Sequence, residues 1–206
     1  THLNVMGASL AGMPGVVNIG FNDNVAWTHT YSTAEHVIVY ELALDPSDPS
    51  GLTWLRDGQP RPIESRQLSI EVKLDNGNLA TLEKTVYDSE LGPMILVPDA
   101  LPWDAERAFT LADANRENLD VIDHWLAMNL AGSLDEFKQS FTDYDGVVFN
   151  NTLAADRSGK AYYVDDSTVP DLPPAALDLL SNDATVIATR AEAGFTILPA
   201  SAATVF

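Results

Sequence analysis

The chain has 206 residues, with 11 basic and 30 acidic side chains, no cysteine and a formal net charge of −19 at pH 7. This length suffices for one sizeable hydrophobic core, so we predict a single unit over residues 1–206. The acidic excess disfavours attraction to nucleic acids and anionic membranes, and no apolar run approaches the roughly 18 residues of a membrane-spanning helix. Without cysteine, a disulfide framework, a thiolate zinc site and a cysteine nucleophile are excluded.

The first strong pattern is a β-hairpin. A β-branched run at Val16–Ile19 predicts one strand, residues 20–24 carry turn chemistry, and Val25–Thr30 alternates apolar and polar residues like a half-buried strand. Three glycines in this region indicate backbone that turns sharply or approaches another segment closely: they are Gly12, Gly15 and Gly20.

The central part of the sequence predicts an antiparallel meander. Within it, alternation of apolar side chains from Leu68 to Leu74 predicts one buried and one solvated face. A hairpin turn at Asp75–Asn78 separates two of the strands. The predicted strands are 37–44, 52–55, 67–74, 79–87 and 93–97.

Helical patterns follow the strands. Apolar residues at Leu119, Ile122, Leu126 and Leu130 have near-helical spacing, and Ser133–Glu136 forms a capping box at the start of a second helix. We therefore predict a helical segment around 117–143. A second hairpin (147–155 and 160–164), a short helix (173–181) and an irregular end (191–206) complete an α+β class with a large antiparallel sheet.

The residues that could carry chemistry leave several alternatives open. Ser9 lies in a Gly-Ala-Ser-Leu-Ala-Gly run whose second glycine comes one place too late for a G-x-S-x-G serine elbow. Thr1 could act as an N-terminal nucleophile whose own α-amino group is the base, or it could simply be where the chain begins. The turn acids Asp45, Asp48 and Asp57 cap turns or line a calcium loop, although the EF-hand spacing is missing. The four histidines are scattered, and we expect each to be a surface residue: His2, His29, His36 and His124.

Seven further motifs occur in order along the chain: Met6–Ser9, Gly15–Asn22, Val25–Thr30, Leu44–Pro49, Arg56–Gly58, Asp113–Asn115 and Asn151–Asp156. Taken together, they resemble the β subunit of the penicillin acylase family, in particular its acyl-homoserine-lactone and aculeacin-type branch. The resemblance implies an N-terminal nucleophile hydrolase with an αββα sandwich, whose serine is exposed by self-cleavage, and it implies no cofactor.

The resemblance also implies site residues. Tyr31 matches the position whose backbone N–H points at the developing oxyanion, and Asn151 matches the asparagine whose side-chain amide is the second donor. Met13, Ile19 and His29 are the candidates for an acyl-binding pocket, although each could equally be plain core. Asparagine suits its role because its amide donates while remaining neutral.

Two departures from the family limit what carries over. The family's calcium-binding carboxylates should follow Tyr31 shortly, but residues 32–36 offer one acid, Glu35, so we predict no metal there. Near Leu198, many relatives continue with Asp-Gly-Ser-Arg, whereas this chain reads Pro-Ala-Ser-Ala-Ala.

The family's serine lies some tens of residues before the segment that resembles Thr1–Leu10. We therefore expect an internal fragment of a periplasmic or secreted amidohydrolase, inactive by itself, with Thr1 an artificial or proteolytic boundary. Its expected partners are an acyl-amide substrate and the remaining α and β subunit segments, with no nucleic acid and no membrane, and the fragment could form a homodimer. The alternative is a non-catalytic β-rich binding or assembly module.

Overall fold

The computed structural model describes residues 3–13 and 15–203, and therefore not Thr1 or His2. These residues form two compact units, one from the described residues up to His36 with Ala114–Val169, the other from Val37–Asp113 with the described residues after Val169. Each unit contains its own sheet. The expectation that residues 1–206 fold as a single unit stays a prediction.

The elements are as follows, in chain order. The strands are β1 (Val5–Ala8), β2 (Ile19–Asn22), β3 (Val25–Tyr31), β4 (Val37–Ala43), β5 (Thr53–Arg56), β6 (Gln59–Pro62), β7 (Glu64–Lys73), β8 (Leu79–Ser89), β9 (Gly92–Ile95), β10 (Arg107–Asp113), β11 (Asn150–Asp156), β12 (Ala161–Asp165) and β13 (Ile197–Pro199). The helices are α1 (Val121–Leu130), α2 (Leu134–Asp143), α3 (Pro174–Asn182) and α4 (Ala184–Ala193), and a 3-10 turn covers Ala200–Ala202.

The first unit contains a five-stranded antiparallel sheet in the order β1-β2-β3-β11-β12. Because side chains alternate along each strand, Val25, Trp27 and Ala154 share one face, and α1 and α2 pack there. The other face is open. The predicted first hairpin is confirmed, but its first strand is β2, later than the expected Val16–Ile19, and its turn is Asp23–Asn24.

Gly20 lies where β1 and β2 approach most closely. A Cβ placed on Gly20 would lie 2.3 Å from the Met6 carbonyl oxygen, and one on the facing Gly7 would lie 2.1 Å from the Ile19 carbonyl oxygen. No side chain fits at either distance. The close approach predicted for Gly20 is therefore confirmed, and Gly7 shares the requirement.

The capping box of α2 is confirmed. The Ser133 hydroxyl accepts the backbone N–H of Glu136 at 3.1 Å. The Glu136 carboxylate accepts the N–H of Gly132 at 2.8 Å, one residue before the expected partner. Both bonds satisfy donors that the start of a helix would otherwise leave unpaired.

The predicted helical segment is confirmed as α1 and α2, but the apolar residues whose spacing predicted it do not form the buried face of α1. Leu119 precedes the helix and is 88% exposed, and Ile122 and Leu126 are also exposed. Two polar residues lie on the buried face, beside Trp125 and Met128: they are His124 and Asn129. Hydrophobic periodicity misses this face because it considers apolar side chains alone, whereas polar side chains are also buried where hydrogen bonds compensate them.

Asn129 supplies such compensation. Its Oδ1 accepts the Val17 backbone N–H at 2.7 Å, and its Nδ2 donates to the Val17 carbonyl at 2.8 Å. The Asn22 side chain in turn donates to the carbonyls of Asn129 and Ala131. These bonds connect the end of α1 to the segment leading into β2.

The second unit contains a six-stranded sheet in the order β13-β4-β10-β9-β8-β7, with β13 parallel to β4 and the other pairs antiparallel, and a separate β5–β6 hairpin. The predicted meander is confirmed for β7 to β10, whereas β4 pairs with β10 and β5 pairs with β6 in the separate hairpin. The main core of this unit includes several buried side chains: Ile38, Leu42, Trp54, Ala108 and Leu198.

The burial predicted for residues 68–74 is wrong. Strands β7 and β8 form a long ribbon, and its apolar residues face solvent; Ile70 is 62% exposed. Alternation shows which side chains share a face, but whether that face is covered depends on packing from elsewhere. The ribbon has exposed residues on both faces along most of β7.

The end of the chain is more regular than predicted. The short helix α3 is confirmed, but α4 and β13 were missed, and Leu198 in β13 is buried. The caps of α4 were visible in the sequence: Asp183 accepts the N–H groups of Thr185 and Val186, and Gly194 ends the helix in the left-handed conformation. Its alanines and threonines give only a weak hydrophobic period.

Replacing Asn129 with alanine should destabilise the first unit by about 1–3 kcal/mol, because the partly buried backbone groups of Val17 each lose a hydrogen-bond partner. The matched control is Leu119→Ala, for which we expect a change within about 0.5 kcal/mol. Urea denaturation of both variants measures these free energies. The sequence pattern alone predicts the reverse order, so a larger loss in Leu119→Ala would contradict the packing described for α1.

Candidate functional site

Strands β3 and β11 bring the two proposed oxyanion donors side by side. Tyr31 pairs with Asn150 and Thr30 with Asn151 in an antiparallel register. Positions 31 and 151 are thus neighbours in the sheet although they are 120 residues apart in the chain. The sequence could not supply this register.

The backbone groups of Tyr31 lie outside the hydrogen bonds that pair β3 with β11. The Ser32 N–H donates to the Phe149 carbonyl at 2.9 Å. Since alternate residues of an antiparallel strand bond the same neighbour, the Tyr31 N–H and C=O do not bond the backbone of β11. On the other side of β3, β2 pairs with Ala26 and Trp27, so Tyr31 lies beyond the part of β3 that is paired with β2.

The Asn151 carboxamide lies against the Tyr31 main chain. Its Nδ2 donates to the Tyr31 carbonyl at 3.1 Å, and its Oδ1 accepts the hydroxyl of Tyr163 at 2.7 Å. An amide nitrogen carries two hydrogens, so one N–H remains for a ligand. This N–H is the one that the predicted role of Asn151 as an oxyanion donor requires, and that role stays a prediction.

The side chains around this pair have different environments. The Tyr31 ring is 69% exposed and contacts the rings of Phe149 and His36, with centroid distances of 5.5 and 5.9 Å. Asn151 lies on the open face of the sheet. Four exposed apolar residues share that face by the strand registers: Met6, Ile19, Phe21 and Leu153.

The three predicted pocket residues do not share one face. Ile19 is exposed on the open face, which also carries Asn151. Met13 packs against the core beneath the helices. His29 is on the helix-covered face, where its ring meets the Trp125 ring at 4.3 Å. Their roles in acyl binding stay predictions.

His29 supports β11 directly beside Asn151. Its Nδ1 lies 2.9 Å from the Thr152 hydroxyl, and burial is the main reason why its pKa is lowered to about 4, with nearby His124 adding to the effect. Hydrogen bonds with the backbone of Asn151 and Asn18 oppose this shift. The imidazole is therefore neutral near pH 7.

His124 is fully buried in α1. Its Nδ1 accepts the Gly146 N–H at 3.0 Å, so protonation of that nitrogen would break the bond. Burial lowers the pKa of His124 to about 4, against the opposing effect of Asp120. The expectation that the histidines are surface residues is wrong for His36 and His124, which are buried, whereas His2 lies outside the described residues.

The other chemical candidates do not form a reactive group. The Ser9 hydroxyl donates to the Val16 carbonyl, and Thr1 lies outside the described residues. Asp45 and Asp48 accept hydrogen bonds from Ser47 and Ser50, as turn-capping carboxylates do.

The residues after Tyr31 do not fit a calcium site. The Ser32 hydroxyl is held by Asp165 at 2.7 Å, and Glu35 is the one acid among residues 32–36. Within residues 3–13 and 15–203, no three His, Asp or Glu side chains group as metal ligands. The same ranges contain no helix long and apolar enough to cross a membrane.

Sequence reasoning missed Tyr163 and Thr152. The sequence did contain a signal for Tyr163, which is the hairpin turn at Asp156–Gly159. This turn fixes the strand register, in which Leu153 pairs with Tyr163 and Asn151 pairs with Asp165. Tyr163 is therefore a diagonal neighbour of Asn151 on the same face. No pattern indicated that Thr152 would meet His29.

Comparison with known proteins assigns the chain to a family. The family model described as penicillin amidase matches residues 1–204. The acyl-homoserine lactone acylase PvdQ of Pseudomonas putida is 43% identical over 181 residues, which is 88% of this chain and 23% of that protein. Aculeacin-A acylase of Actinoplanes utahensis is 32% identical over 167 residues, 81% of this chain and 20% of that protein.

The chain belongs to the penicillin amidase family. Its fold is that of the penicillin G acylase of Alcaligenes faecalis, with a TM-score of 0.65 and 21% identity over 84% of this chain and 31% of that one. The predicted sheet-rich α+β class and the resemblance found in the sequence are thereby confirmed. The chain spans less than a quarter of the length of the two sequence relatives.

Lowering the pH from 6.5 to 4 should destabilise the first unit. The pKa values of His29 and His124 are about 4, below the ordinary 6.5, so in this window the unfolded chain binds more protons than the folded one. The free energy of unfolding therefore falls as the pH falls, by up to about 1.4 kcal/mol per pH unit for each histidine.

Urea denaturation between pH 7 and 4 measures this slope. His124→Gln removes one titrating group, so the slope should be about half that of the wild-type chain. Asp165 has a lowered pKa because it accepts hydrogen bonds from Ser167 and Ser32. It therefore loses stabilisation mainly below about pH 5, so the slope between pH 6.5 and 5 reports on the histidines. A flat profile between pH 6.5 and 4 would contradict the burial of neutral histidines.

Proposed function

We propose that this chain supplies the oxyanion-binding part of an acylase that removes an acyl chain from an amide nitrogen. The observation that carries the proposal is the contact of Asn151 Nδ2 with the Tyr31 main chain, 3.1 Å from Nδ2 to the carbonyl, on adjacent strands. Membership of the penicillin amidase family supports the same reaction class.

The reaction proposed is a serine acyl transfer. A serine hydroxyl attacks the amide carbonyl while the α-amine of that serine takes the proton, and the carbonyl oxygen becomes an oxyanion. The Tyr31 N–H and the second Asn151 Nδ2–H donate to this oxyanion. The α-ammonium then gives that proton to the amide nitrogen, the C–N bond breaks, and the neutral amine leaves an acyl-enzyme behind. Water attacks the acyl-enzyme with the same α-amine as base, which releases the acid and restores the serine hydroxyl.

We infer that the nucleophilic serine belongs to another part of the acylase. Ser9 does not suit the role, because its hydroxyl is bonded to the Val16 carbonyl. The partners of the chain would then be the acyl-amide substrate and the remaining segments of the α and β subunits. The exposed apolar side chains on the open face of the sheet support packing against such segments, and a homodimer of the chain would cover them in another way.

The substrate class we propose is an acyl amide of the penicillin, N-acyl-homoserine lactone or acyl-peptide type. The names of relatives support it, since they include acylases of acyl-homoserine lactones and of aculeacin-A. We also propose a periplasmic or secreted location, for which the net charge of −19 is the supporting observation.

Asn151→Ala should lower kcat about 10²–10³-fold, because one oxyanion donor is lost. The assay uses a chimaera in which this chain replaces its counterpart in the Pseudomonas putida relative, with an acyl-homoserine lactone as substrate. The matched control is Asn150→Ala, which removes a neighbouring amide on the other face of β11 and should change kcat by less than about threefold. Equal rates in Asn151→Ala and the unmodified chimaera would contradict the proposal.

The purified 206-residue chain should show no acylase activity by itself, because the proposed nucleophile and its base are elsewhere. Release of amine from an acyl-homoserine lactone or a phenylacetyl amide, followed over hours, measures this. The active chimaera is the positive control. Steady turnover by the chain alone, abolished by Ser9→Ala, would show that the nucleophile lies within it.

A further inference from the structure

Tyr163 is the residue that contacts the far side of the Asn151 carboxamide. It lies on β12, pairs with Leu153, and projects from the open face of the sheet, where it is 61% exposed. Its hydroxyl oxygen is 2.7 Å from Asn151 Oδ1. The carboxamide thus lies between the Tyr163 hydroxyl and the Tyr31 carbonyl.

These two neighbours determine which way the amide faces. The Tyr31 carbonyl oxygen can only accept a hydrogen bond, so the atom that faces it at 3.1 Å must be Nδ2. The atom that faces Tyr163 is then Oδ1, which can only accept, and so the tyrosine hydroxyl donates. A flipped amide would place Oδ1 against the Tyr31 carbonyl, with two acceptors facing each other.

We propose that Tyr163 is a positioning residue for the oxyanion donor, an assignment that rests on the function proposed above. Its hydroxyl holds Oδ1 and thereby keeps Nδ2 beside the Tyr31 main chain, with the second Nδ2–H available to the substrate oxygen. Donation to Oδ1 also polarises the amide, which strengthens the N–H groups as donors. Tyr163 itself does not touch the reacting atoms.

The adjacent Tyr162 is a matched control on the same strand. It lies on the opposite, helix-covered face, with its ring 6.0 Å from the Phe141 ring and 5.3 Å from the Lys138 ammonium nitrogen. Tyr162→Phe and Tyr163→Phe each remove one hydroxyl from β12. Only the second removes a donor to Asn151.

The orientation can be tested on the 206-residue chain by NMR. The two Asn151 side-chain amide proton signals are assigned by their loss in Asn151→Asp. We expect both signals to shift in Tyr163→Phe and to stay unchanged in Tyr162→Phe. Unchanged signals in Tyr163→Phe would overturn the proposal, whatever the activity of the acylase.

The kinetic consequence is tested in the chimaera with the Pseudomonas putida relative. Tyr163→Phe should lower kcat about fivefold, the effect of one neutral hydrogen bond, with KM changed less than about twofold. Tyr162→Phe should leave both constants unchanged. Because Tyr163 acts through Asn151, the double variant with Asn151→Ala should be no slower than Asn151→Ala alone.

The outcomes separate the two proposals. If Asn151→Ala is slow but Tyr163→Phe has wild-type kcat, the positioning role is overturned and the proposed function stands. If the double variant has a lower kcat than Asn151→Ala alone, Tyr163 acts by another route and the positioning role is also overturned. If Asn151→Ala has wild-type kcat, the proposed function fails, and the NMR shifts still decide whether Tyr163 orients the amide.

Discussion

The antiparallel pairing of β3 with β11 is the constraint on which the candidate site depends. It places Asn151 opposite Thr30, next to Tyr31, and joins segments that are 120 residues apart. A slip of one residue would turn the Asn151 side chain to the helix-covered face, because side chains alternate along a strand. The chemistry proposed here therefore requires this particular register.

Buried polar contacts connect the helices to the same sheet. The Asn129 amide bonds both backbone groups of Val17, and His124 accepts the Gly146 N–H. Each contact compensates a polar group that would be costly to bury alone. The His124 contact also explains why acid should destabilise this unit, because a protonated Nδ1 cannot accept the Gly146 N–H and a charged ring is costly to bury.

The two faces of the five-stranded sheet have different properties. One face is packed under α1 and α2, where His29 of the sheet contacts Trp125 of α1 beside the core. The other carries Asn151 and Tyr163 beside exposed apolar side chains. The β11–β12 hairpin contributes to both, because Thr152 meets His29 on one face while Asn151 faces the opposite side.

The sequence by itself determined the sheet-rich α+β class, most strands of the meander, the Ser133 cap of α2 and membership of the penicillin amidase family. These features follow from patterns within short stretches of sequence, which can be recognised without knowing the fold. It also indicated Asn151 and Tyr31, through motifs in each of their segments.

Only the tertiary structure decided which faces are covered and which distant residues meet. Ile122, Leu126 and Leu130 of α1 are exposed, as are Leu68 and Ile70 of β7. His124 and Asn129 are buried, because burial depends on what packs against an element. The meeting of Asn151 with Tyr31 depends on strand pairing over a long separation in the chain, and local periodicity carries no information about such pairing.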